Sequence, residues 1–186
     1  MAYLTEDALR EMGFAKIGRN VKVSEKAAIY EPEKIHIGDN SRIDDFCVVS
    51  GNVVIERNVH IAPLCLVAGG RAGIILQDFS GLAYGVKAFA QSDDYSGKSM
   101  TNPTVPSEYK MEFFSKIDVG RHVIVGTGSV ICPGVVLAEG TAIGAMTLVM
   151  RSTDPWSIYI GNPARKLRSR KRDLLDLEHK YLNPEL

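Results

Sequence analysis

Few side chains in this sequence can take up or release a proton near neutral pH, and they are widely spaced. The four histidines are His36, His60, His122 and His179. Two adjacent carboxylates, Asp93 and Asp94, stand in a stretch without regular pattern. Such side chains can act as general bases toward an amine or a hydroxyl group. A zinc site would need three converging histidines, two of them close in sequence. Gaps of 24 and 62 residues separate the first three histidines, so no metal site is predicted.

A six-residue repeat of aliphatic residues must position these groups. From Ile37 every sixth residue is aliphatic up to Val67, and the pattern resumes after interruptions as far as Val149. A period of six matches neither a helix nor a simple alternating strand. It suits short strands joined by tight corners, with three strands to a coil and coils that bury each other's edges. We therefore predict an all-β protein, a parallel β-helix whose aliphatic residues fill a triangular core. Cys47 and Cys65 are interpreted as small core residues.

The register of the repeat places small residues in a column. Residues 18 apart occupy equivalent positions on successive coils, so Asp44 stacks with Ala62, and Ala83, Gly126 and Gly144 continue the column after the interruptions. Such a column leaves a shallow groove with accessible backbone amides, which suits a long, thin ligand that carries amides itself. Tight corners also need small residues, and the two explanations are compatible.

Two interruptions break the repeat. The larger one, residues 90–116, has no period, and long irregular loops inside compact domains are usually functional or disordered. A smaller excursion lies at Gly69–Gly70–Arg71.

The ends of the chain lack the repeat. The predicted organisation is an N-terminal helical cap (1–16), a β-helix (17–166) with an extended loop (90–116), and a C-terminal helix (167–186). The first helix covers residues 5–12 with Thr5 as its cap, and an amphipathic helix covers residues 167–182. Its basic run is either a solvated face or an attraction for phosphate groups; the run comprises Arg168, Arg170, Lys171 and Arg172.

The segment that follows the last repeats reads DPWSIYIGNPARK, residues 154–166. With the array before it, this segment resembles the ending of the β-helix in the hexapeptide-repeat acyltransferases, and the resemblance covers about residues 17 to 166. The resemblance implies a left-handed β-helix, although crossover connections are generally right-handed. It also implies acetyl-CoA as the acyl donor. The residues to which it assigns coenzyme A contacts are Gly126, Gly144, Ala145, Pro163, Arg165 and Lys166. Arg165 and Lys166 would contact phosphate groups through charge-assisted hydrogen bonds.

The resemblance leaves the general base open. In the galactoside and maltose acetyltransferase branch, a histidine at the start of the long loop has this role. The matching stretch here reads QSDDY and contains no histidine. The candidates for the base are therefore Asp93 or Asp94, followed by His60 and His122. We expect His122, which comes directly after the loop, to meet the groove.

The loop sequence SDDYSG, followed by TNP, is similar to the small acetyltransferases of surface-polysaccharide gene clusters, including lipopolysaccharide biosynthesis. This similarity implies transfer of an acetyl group to the amino group of a nucleotide-linked amino-deoxy sugar, such as a dTDP-4-amino-4,6-dideoxyhexose for O-antigen. One alternative is a polysaccharide or galactoside-type sugar O-acetyltransferase. The missing loop histidine supports another, a non-catalytic β-helix scaffold or binding subunit.

Composition restricts the partners. The 186 residues contain 22 basic and 22 acidic side chains, so the net charge gives no attraction for nucleic acid. No stretch approaches the roughly 20 apolar residues of a membrane span, and the N-terminus lacks the pattern of a secretory signal. Three cysteines are too few for a disulfide scaffold. We expect a cytoplasmic protein, and the family resemblance implies a homotrimer with the active site between two subunits.

Overall fold

The aliphatic residues of the repeat point into one continuous core in the computed structural model, which describes residues 2–184. The repeat positions from Ile37 to Val149 are buried, and Ile17 and Ile29, which precede them in the first coil, are half-buried. Burial of one such side chain contributes about 1.5–3 kcal/mol. The repeat thus forms the core as predicted.

The regular elements are short, as a six-residue period requires. In chain order they are α1 (Glu6–Glu11), β1 (Lys16–Ile17), β2 (Lys22–Val23), β3 (Ala28–Tyr30), β4 (Ile35–Ile37), β5 (Arg42–Ile43), β6 (Val48–Ile55), β7 (His60–Ile61), β8 (Leu66–Leu76), β9 (Gly81–Leu82), β10 (Lys87–Phe89), β11 (Gln91–Ser92), β12 (Phe113–Phe114), β13 (Ile117–Val119), β14 (Ile124–Val125), β15 (Val130–Ile131), β16 (Val136–Leu137), β17 (Ala142–Ile143), β18 (Leu148–Val149), β19 (Ser157–Ile160), β20 (Arg165–Ser169) and α2 (Leu174–Leu182). Two 3₁₀ turns, Pro32–Lys34 and Ser107–Tyr109, lie between strands.

Parallel strands stack into three faces. The first face runs β2-β5-β7-β9-β14-β17-β19. The second face consists of β3, the first part of β6 and of β8, β10, β15 and β18. The third consists of β1, β4, the last part of β6 and of β8, β13 and β16. Successive coils are therefore about 4.8 Å apart, the spacing of hydrogen-bonded strands.

Three lines of corners join these faces. The groove corner, between the first and second faces, comprises residues 44–47, 62–65, 83–86, 126–129 and 144–147. The loop corner, between the second and third faces, comprises residues 51–52, 69–73, 90–116, 132–135 and 150–153. The helix corner, between the third and first faces, comprises residues 38–41, 56–59, 77–80, 120–123 and 138–141.

Each turn of the helix corner contains one residue in the left-handed backbone region. Asn40 and Asn58 have φ values of 60° and 58°, which asparagine tolerates better than most residues. Phe79 and His122 occupy the equivalent place in the next coils, with φ values of 59° and 58°. Their rings stack with centroids 5.2 Å apart, and α2 lies against them through Tyr181.

The N-terminal helix is confirmed, with the Ala8 amide donating to Thr5 Oγ1 over 3.2 Å. The prediction of a helix throughout residues 167–182 is wrong in its first part. Residues 165–169 instead form β20, antiparallel to β19, and α2 begins only at Leu174. The last strand of a parallel stack has an open edge, and β20 covers it. Residues 185 and 186 of the predicted segment lie outside the described residues. No helix among residues 2–184 is long and apolar enough to cross a membrane.

Candidate active site

The column of small residues predicted from the register is present at the groove corner. Strand pairing aligns Ile43 with Ile61, Ile61 with Leu82, Leu82 with Val125, and Val125 with Ile143. The residue after each of these is therefore a member of the column, which comprises Asp44, Ala62, Ala83, Gly126 and Gly144.

Coil stacking by itself explains one of the glycines in the column. A Cβ atom at Gly126 would lie 2.5 Å from the backbone nitrogen of Ala145, whereas the close contact of one at Gly144 would be with the Ile160 side chain, at 2.8 Å from Cγ2. Gly126 is thus required for the coils to approach. Gly126 and Gly144 are half-buried, and their backbone remains compatible with a ligand lying along the corner.

A cationic cleft lies at the end of the β-helix. It has a volume of about 430 Å³ and is lined by Tyr159, Pro163, Arg165, Lys166 and Arg151, among others. Arg165 is exposed and bonds only to the carbonyl of Ala164 among the described residues. Lys166 Nζ donates to Asp154 Oδ2 over 2.9 Å. That hydrogen bond raises the pKa of Lys166 and lowers the pKa of Asp154.

Sequence reasoning missed Arg151. The only signal for it was its place at the loop corner, two residues after β18, where its side chain lines the same cleft as Pro163 and Ala164. Together, Arg151, Arg165 and Lys166 give this cleft the charge that phosphate groups need.

The long loop leaves the β-helix at the loop corner through a short stem. In the stem, β11 pairs with β12 in antiparallel fashion, Gln91 opposite Phe114 and Ser92 opposite Phe113. The two candidate carboxylates follow directly and have different surroundings. Asp94 accepts hydrogen bonds from the Ser96 amide (2.8 Å) and from Ser99 Oγ (3.2 Å), and these bonds lower the pKa of Asp94.

The Asp93 carboxylate accepts no hydrogen bond from residues 2–184. Asp93 is half-buried and lines an open cleft of about 300 Å³ with Gln91, Tyr95 and Glu112. Of the two candidate carboxylates, Asp93 is therefore the one free to receive a proton from a ligand, while Asp94 holds the loop together.

The loop and the groove lie at different corners of the same coil. Strand β10 separates them, and three residues of strand span about 10 Å. Within one chain, Asp93 and the small-residue column are consequently not brought together.

His60 stands beside the groove corner on the first face. Its Nε2 lies 2.8 Å from Oδ2 of Asp44, and Asp44 is 1% exposed. Arg42 donates to the same carboxylate over 3.0 Å, and Tyr3 donates to its other oxygen over 3.2 Å. Asp44 thus orients the ring of His60, whose side chain is 45% exposed, and His60 remains accessible to a ligand.

The structure does not support the expectation that His122 meets the groove. His122 lies at the helix corner, at the opposite end of β14 from Gly126, and is 8% exposed. Its Nε2 is 3.0 Å from Oε2 of Glu178, which α2 supplies. The sequence could not show this burial because the covering helix comes 56 residues later.

The basic run after residue 167 also has a structural use. Arg170 donates to the carbonyl oxygens of His122 (2.7 Å) and Gly140 (3.1 Å), and burial lowers its pKa. Arg172 lies over the Trp156 ring. For Arg170, neither a solvated face nor a phosphate contact is the best description, whereas Arg168, Lys171 and Arg172 are exposed, as a solvated face requires. His36 and His179 are exposed, and residues 2–184 contain no cluster of three or more metal-ligating side chains.

Known proteins share both the sequence and this arrangement. Residues 34–69 match the family described as bacterial transferase hexapeptide (six repeats). The dTDP-4-amino-4,6-dideoxy-D-glucose acyltransferase of Escherichia coli is 41% identical over 181 residues, which are 96% of this chain and 94% of that protein. The chain belongs to the hexapeptide-repeat acyltransferases. Its assignment as an acyltransferase is thereby confirmed.

Solved structures of acyltransferases are also similar to this hexapeptide-repeat acyltransferase. AntD, an N-acyltransferase from Bacillus cereus in complex with dTDP and 3-hydroxybutyryl-CoA, is 42% identical with a TM-score of 0.96 over 98% of this chain and 97% of that chain. A variant of AntD in complex with dTDP-4-amino-4,6-dideoxyglucose and coenzyme A is 43% identical to this chain, with a TM-score of 0.97 over 98% of both chains. A maltose O-acetyltransferase from Clostridium difficile shares the fold alone, at 22% identity and a TM-score of 0.57 over 90% of this chain and 75% of that chain. The predicted left-handed β-helix is confirmed.

Proposed function

We propose that this acyltransferase transfers the acetyl group of acetyl-CoA to the amino group of a dTDP-4-amino-4,6-dideoxyhexose that is used for O-antigen or another surface polysaccharide. The observation that carries the proposal is 41% identity along nearly the whole chain to an enzyme named for that acceptor. The AntD structures support it, since they hold a dTDP-amino sugar and coenzyme A in the same fold. Family membership argues against a scaffold, and O-acetylation is supported by less similar proteins, such as the maltose enzyme at 22% identity.

The donor would bind along the groove corner and end in the cationic cleft. The backbone of Gly126, Gly144 and Ala145 would hold the amide-bearing arm of coenzyme A, with Pro163 at the end of the groove. Arg165, Lys166 and Arg151 would bind its phosphate groups. The proposal is supported by two observations, the column of small residues at the groove corner and the concentration of positive charge in the cleft at the end of the β-helix.

The base in this proposal is Asp93. A sugar amine is largely protonated at neutral pH, as a lysine amine is, and must lose a proton before it attacks the thioester carbonyl. An accessible carboxylate within hydrogen-bond reach can take that proton. The Asp93 carboxylate accepts no hydrogen bond from residues 2–184, whereas the Asp94 carboxylate already accepts hydrogen bonds from Ser96 and Ser99. His60, oriented by Asp44, is the second candidate.

A homotrimer would complete the site. The outward side chains of the second face are mainly apolar, with Lys87 and Ser50 as polar exceptions, and the apolar ones include Val48, Leu66, Val130 and Leu148. Phe46, Leu64 and Met146 protrude from the adjoining groove corner with 57%, 61% and 73% exposure. Apolar patches of this kind usually mark contact surfaces. We infer that the loop of one subunit approaches the groove of the next. Two freely diffusing substrates that carry nucleotides suit a cytoplasmic enzyme.

The acceptor is tested by thiol release from acetyl-CoA in the presence of dTDP-4-amino-4,6-dideoxyglucose. The control acceptor is dTDP-glucose, which has a hydroxyl at the same carbon. We expect release with the amino sugar and little with the control. No release with the amino sugar, or equal release with both, would refute the proposed acceptor.

The shared site is tested by sedimentation and by mixing inactive subunits. Asp93→Asn subunits carry an intact cleft, and Arg165→Glu subunits carry an intact base. If the site lies between subunits, mixtures of the two variants regain activity after re-association, because some sites then combine the intact cleft of one variant with the intact base of the other. A monomer in sedimentation, or mixtures that stay inactive, would contradict the shared site.

A further inference from the structure

The excursion at Gly69–Gly70–Arg71 places an arginine against the stem of the long loop. The guanidinium carbon of Arg71 lies 3.5 Å from the centroid of the Phe114 ring. Phe114 belongs to β12 and pairs with Gln91 of β11. None of the ion pairs among residues 2–184 includes Arg71, although its side chain is exposed. Its observed contact is therefore with the loop stem and not with a carboxylate.

The backbone around Arg71 is shaped for this contact. Asn52 Nδ2 donates to the carbonyl oxygen of Arg71 over 3.2 Å. A Cβ atom at Gly69 would lie 2.1 Å from the carbonyl oxygen of Asn52, so the excursion packs directly on the coil before it. Gly70 has φ of +51°, and a Cβ atom there would lie 2.7 Å from Oε1 of Gln91. Both strands of the stem thus touch the excursion, Gln91 at Gly70 and Phe114 at Arg71.

The stem needs such support because it is short. Its antiparallel pairing covers two residues on each side, and an isolated pair of strands is at best marginally stable. Asp93 follows the stem directly, and its carboxylate accepts no hydrogen bond from residues 2–184 that would hold it in place. Its position is consequently set by the stem.

We propose that Arg71 is a positioning residue that clamps the loop stem and thereby places Asp93 for proton transfer. The inference rests on the proposed function in so far as Asp93 is the base. Misplacement of a reacting group by about 1 Å can cost on the order of 10²-fold in rate, so loosening of the stem is expected to lower kcat. The coenzyme A groove lies at another corner, and donor binding is expected to be unaffected.

The test compares Arg71→Ala, Arg71→Lys and Phe114→Leu in the full-length protein. For Arg71→Ala we expect kcat to fall about tenfold, with an unchanged KM for acetyl-CoA and an unchanged midpoint in the pH dependence of kcat. Arg71→Lys should recover part of the loss because an ammonium group also lies favourably over an aromatic ring. Phe114→Leu should resemble Arg71→Ala, and the double variant should lose little more, since both changes remove the same contact. Arg10→Ala, at an exposed arginine of α1, is the matched control and should leave kcat unchanged.

Trypsin cleavage after Lys98, in the exposed part of the loop, gives a readout without catalysis. Faster cleavage in Arg71→Ala than in the unaltered protein supports the clamp. Unchanged cleavage overturns the clamp, and faster cleavage with unchanged kcat overturns the positioning role. A raised KM for the nucleotide sugar at unchanged kcat would show that Arg71 binds substrate phosphate, which also overturns the proposal. Full activity of Asp93→Asn would refute the assigned base, while the cleavage experiment would still decide on the clamp.

Discussion

The groove corner and the loop corner are built from the same repeat but differ in how strictly they keep it. At the groove corner, every turn from 62–65 to 144–147 has four residues and begins with alanine or glycine. At the loop corner no two successive turns from 51–52 to 90–116 have the same length, and the longest contains Asp93. Repetition yields a regular column of small residues along the β-helix. In the proposed function this column holds the donor, and the departures from repetition supply the side chains that act on the acceptor, as loops on rigid scaffolds commonly do.

The two histidine–carboxylate pairs show a related contrast. His60 and His122 both lie within two residues of a first-face strand, and each has a carboxylate at hydrogen-bond distance. The pair of His60 involves the adjoining coil and leaves the ring accessible. The pair of His122 involves α2 and closes the ring off. The same kind of histidine–carboxylate pair is thus accessible to a ligand at the groove corner and contributes to packing at the helix corner.

The largest expected effect separates Asp93 from Asp94. Asp93→Asn should lower kcat by about 10²-fold or more, the usual contribution of a general base, with an unchanged melting temperature. Asp94→Asn should have a smaller effect on kcat because it weakens only the hydrogen bonds to Ser96 and Ser99. Steady-state kinetics and thermal unfolding of both variants measure these changes in kcat and in melting temperature. A greater loss of kcat in Asp94→Asn would transfer the role of the base to Asp94.

The next effect tests how rigid the groove corner is. Gly126→Ala should lower the free energy of unfolding by about 1–3 kcal/mol, the usual cost of overpacking, because its methyl group meets the backbone of the following coil. Gly144→Ala should cost less, since the Ile160 side chain can move. Urea unfolding followed by circular dichroism measures both changes. Equal values for the two variants would contradict the stacking explanation for Gly126.

A smaller effect is expected on donor binding. Arg165→Ala should raise the KM for acetyl-CoA about tenfold, equivalent to one charge-assisted hydrogen bond, with little change in kcat. Lys166→Ala should raise it less because Lys166 is already paired with Asp154. Initial rates over a range of acetyl-CoA concentrations measure this. A fall in kcat without a rise in KM would place Arg165 outside the donor site.

The smallest effect concerns the buried pair at the helix corner and depends on pH. Burial would raise the pKa of Glu178, but hydrogen bonds and charges from Arg121 and His122 outweigh burial and lower it from its usual value near 4.5. A lowered pKa contributes stability above the usual value, and this stability is lost as the pH falls through the lowered one. The contact of α2 should therefore loosen in acid, below about pH 4.5.

Trp156, the only tryptophan of the chain, lies near His122 and reports on this transition through its fluorescence. Glu178→Gln should remove the acid step from the titration. Persistence of the same step in that variant would assign it to other carboxylates.

The sequence by itself determined the three-sided β-helix, its core residues, the column at the groove corner and the position of the loop. These follow from a period of six, since the period fixes which residues face inward and which stack, whatever the rest of the chain does. The closing motif further identified the end of the β-helix and the family. The absence of a histidine at the start of the loop left the carboxylates Asp93 and Asp94 as its candidate bases.

Tertiary structure alone decided which of these groups are accessible and which are occupied. It distinguished Asp93 from Asp94, closed His122 beneath α2, added Arg151 to the cationic cleft and replaced the start of the predicted C-terminal helix by β20. All four results depend on contacts between segments that the repeat does not relate to one another. A local pattern can fix which way a side chain points, but its partner comes from whichever distant segment packs against it.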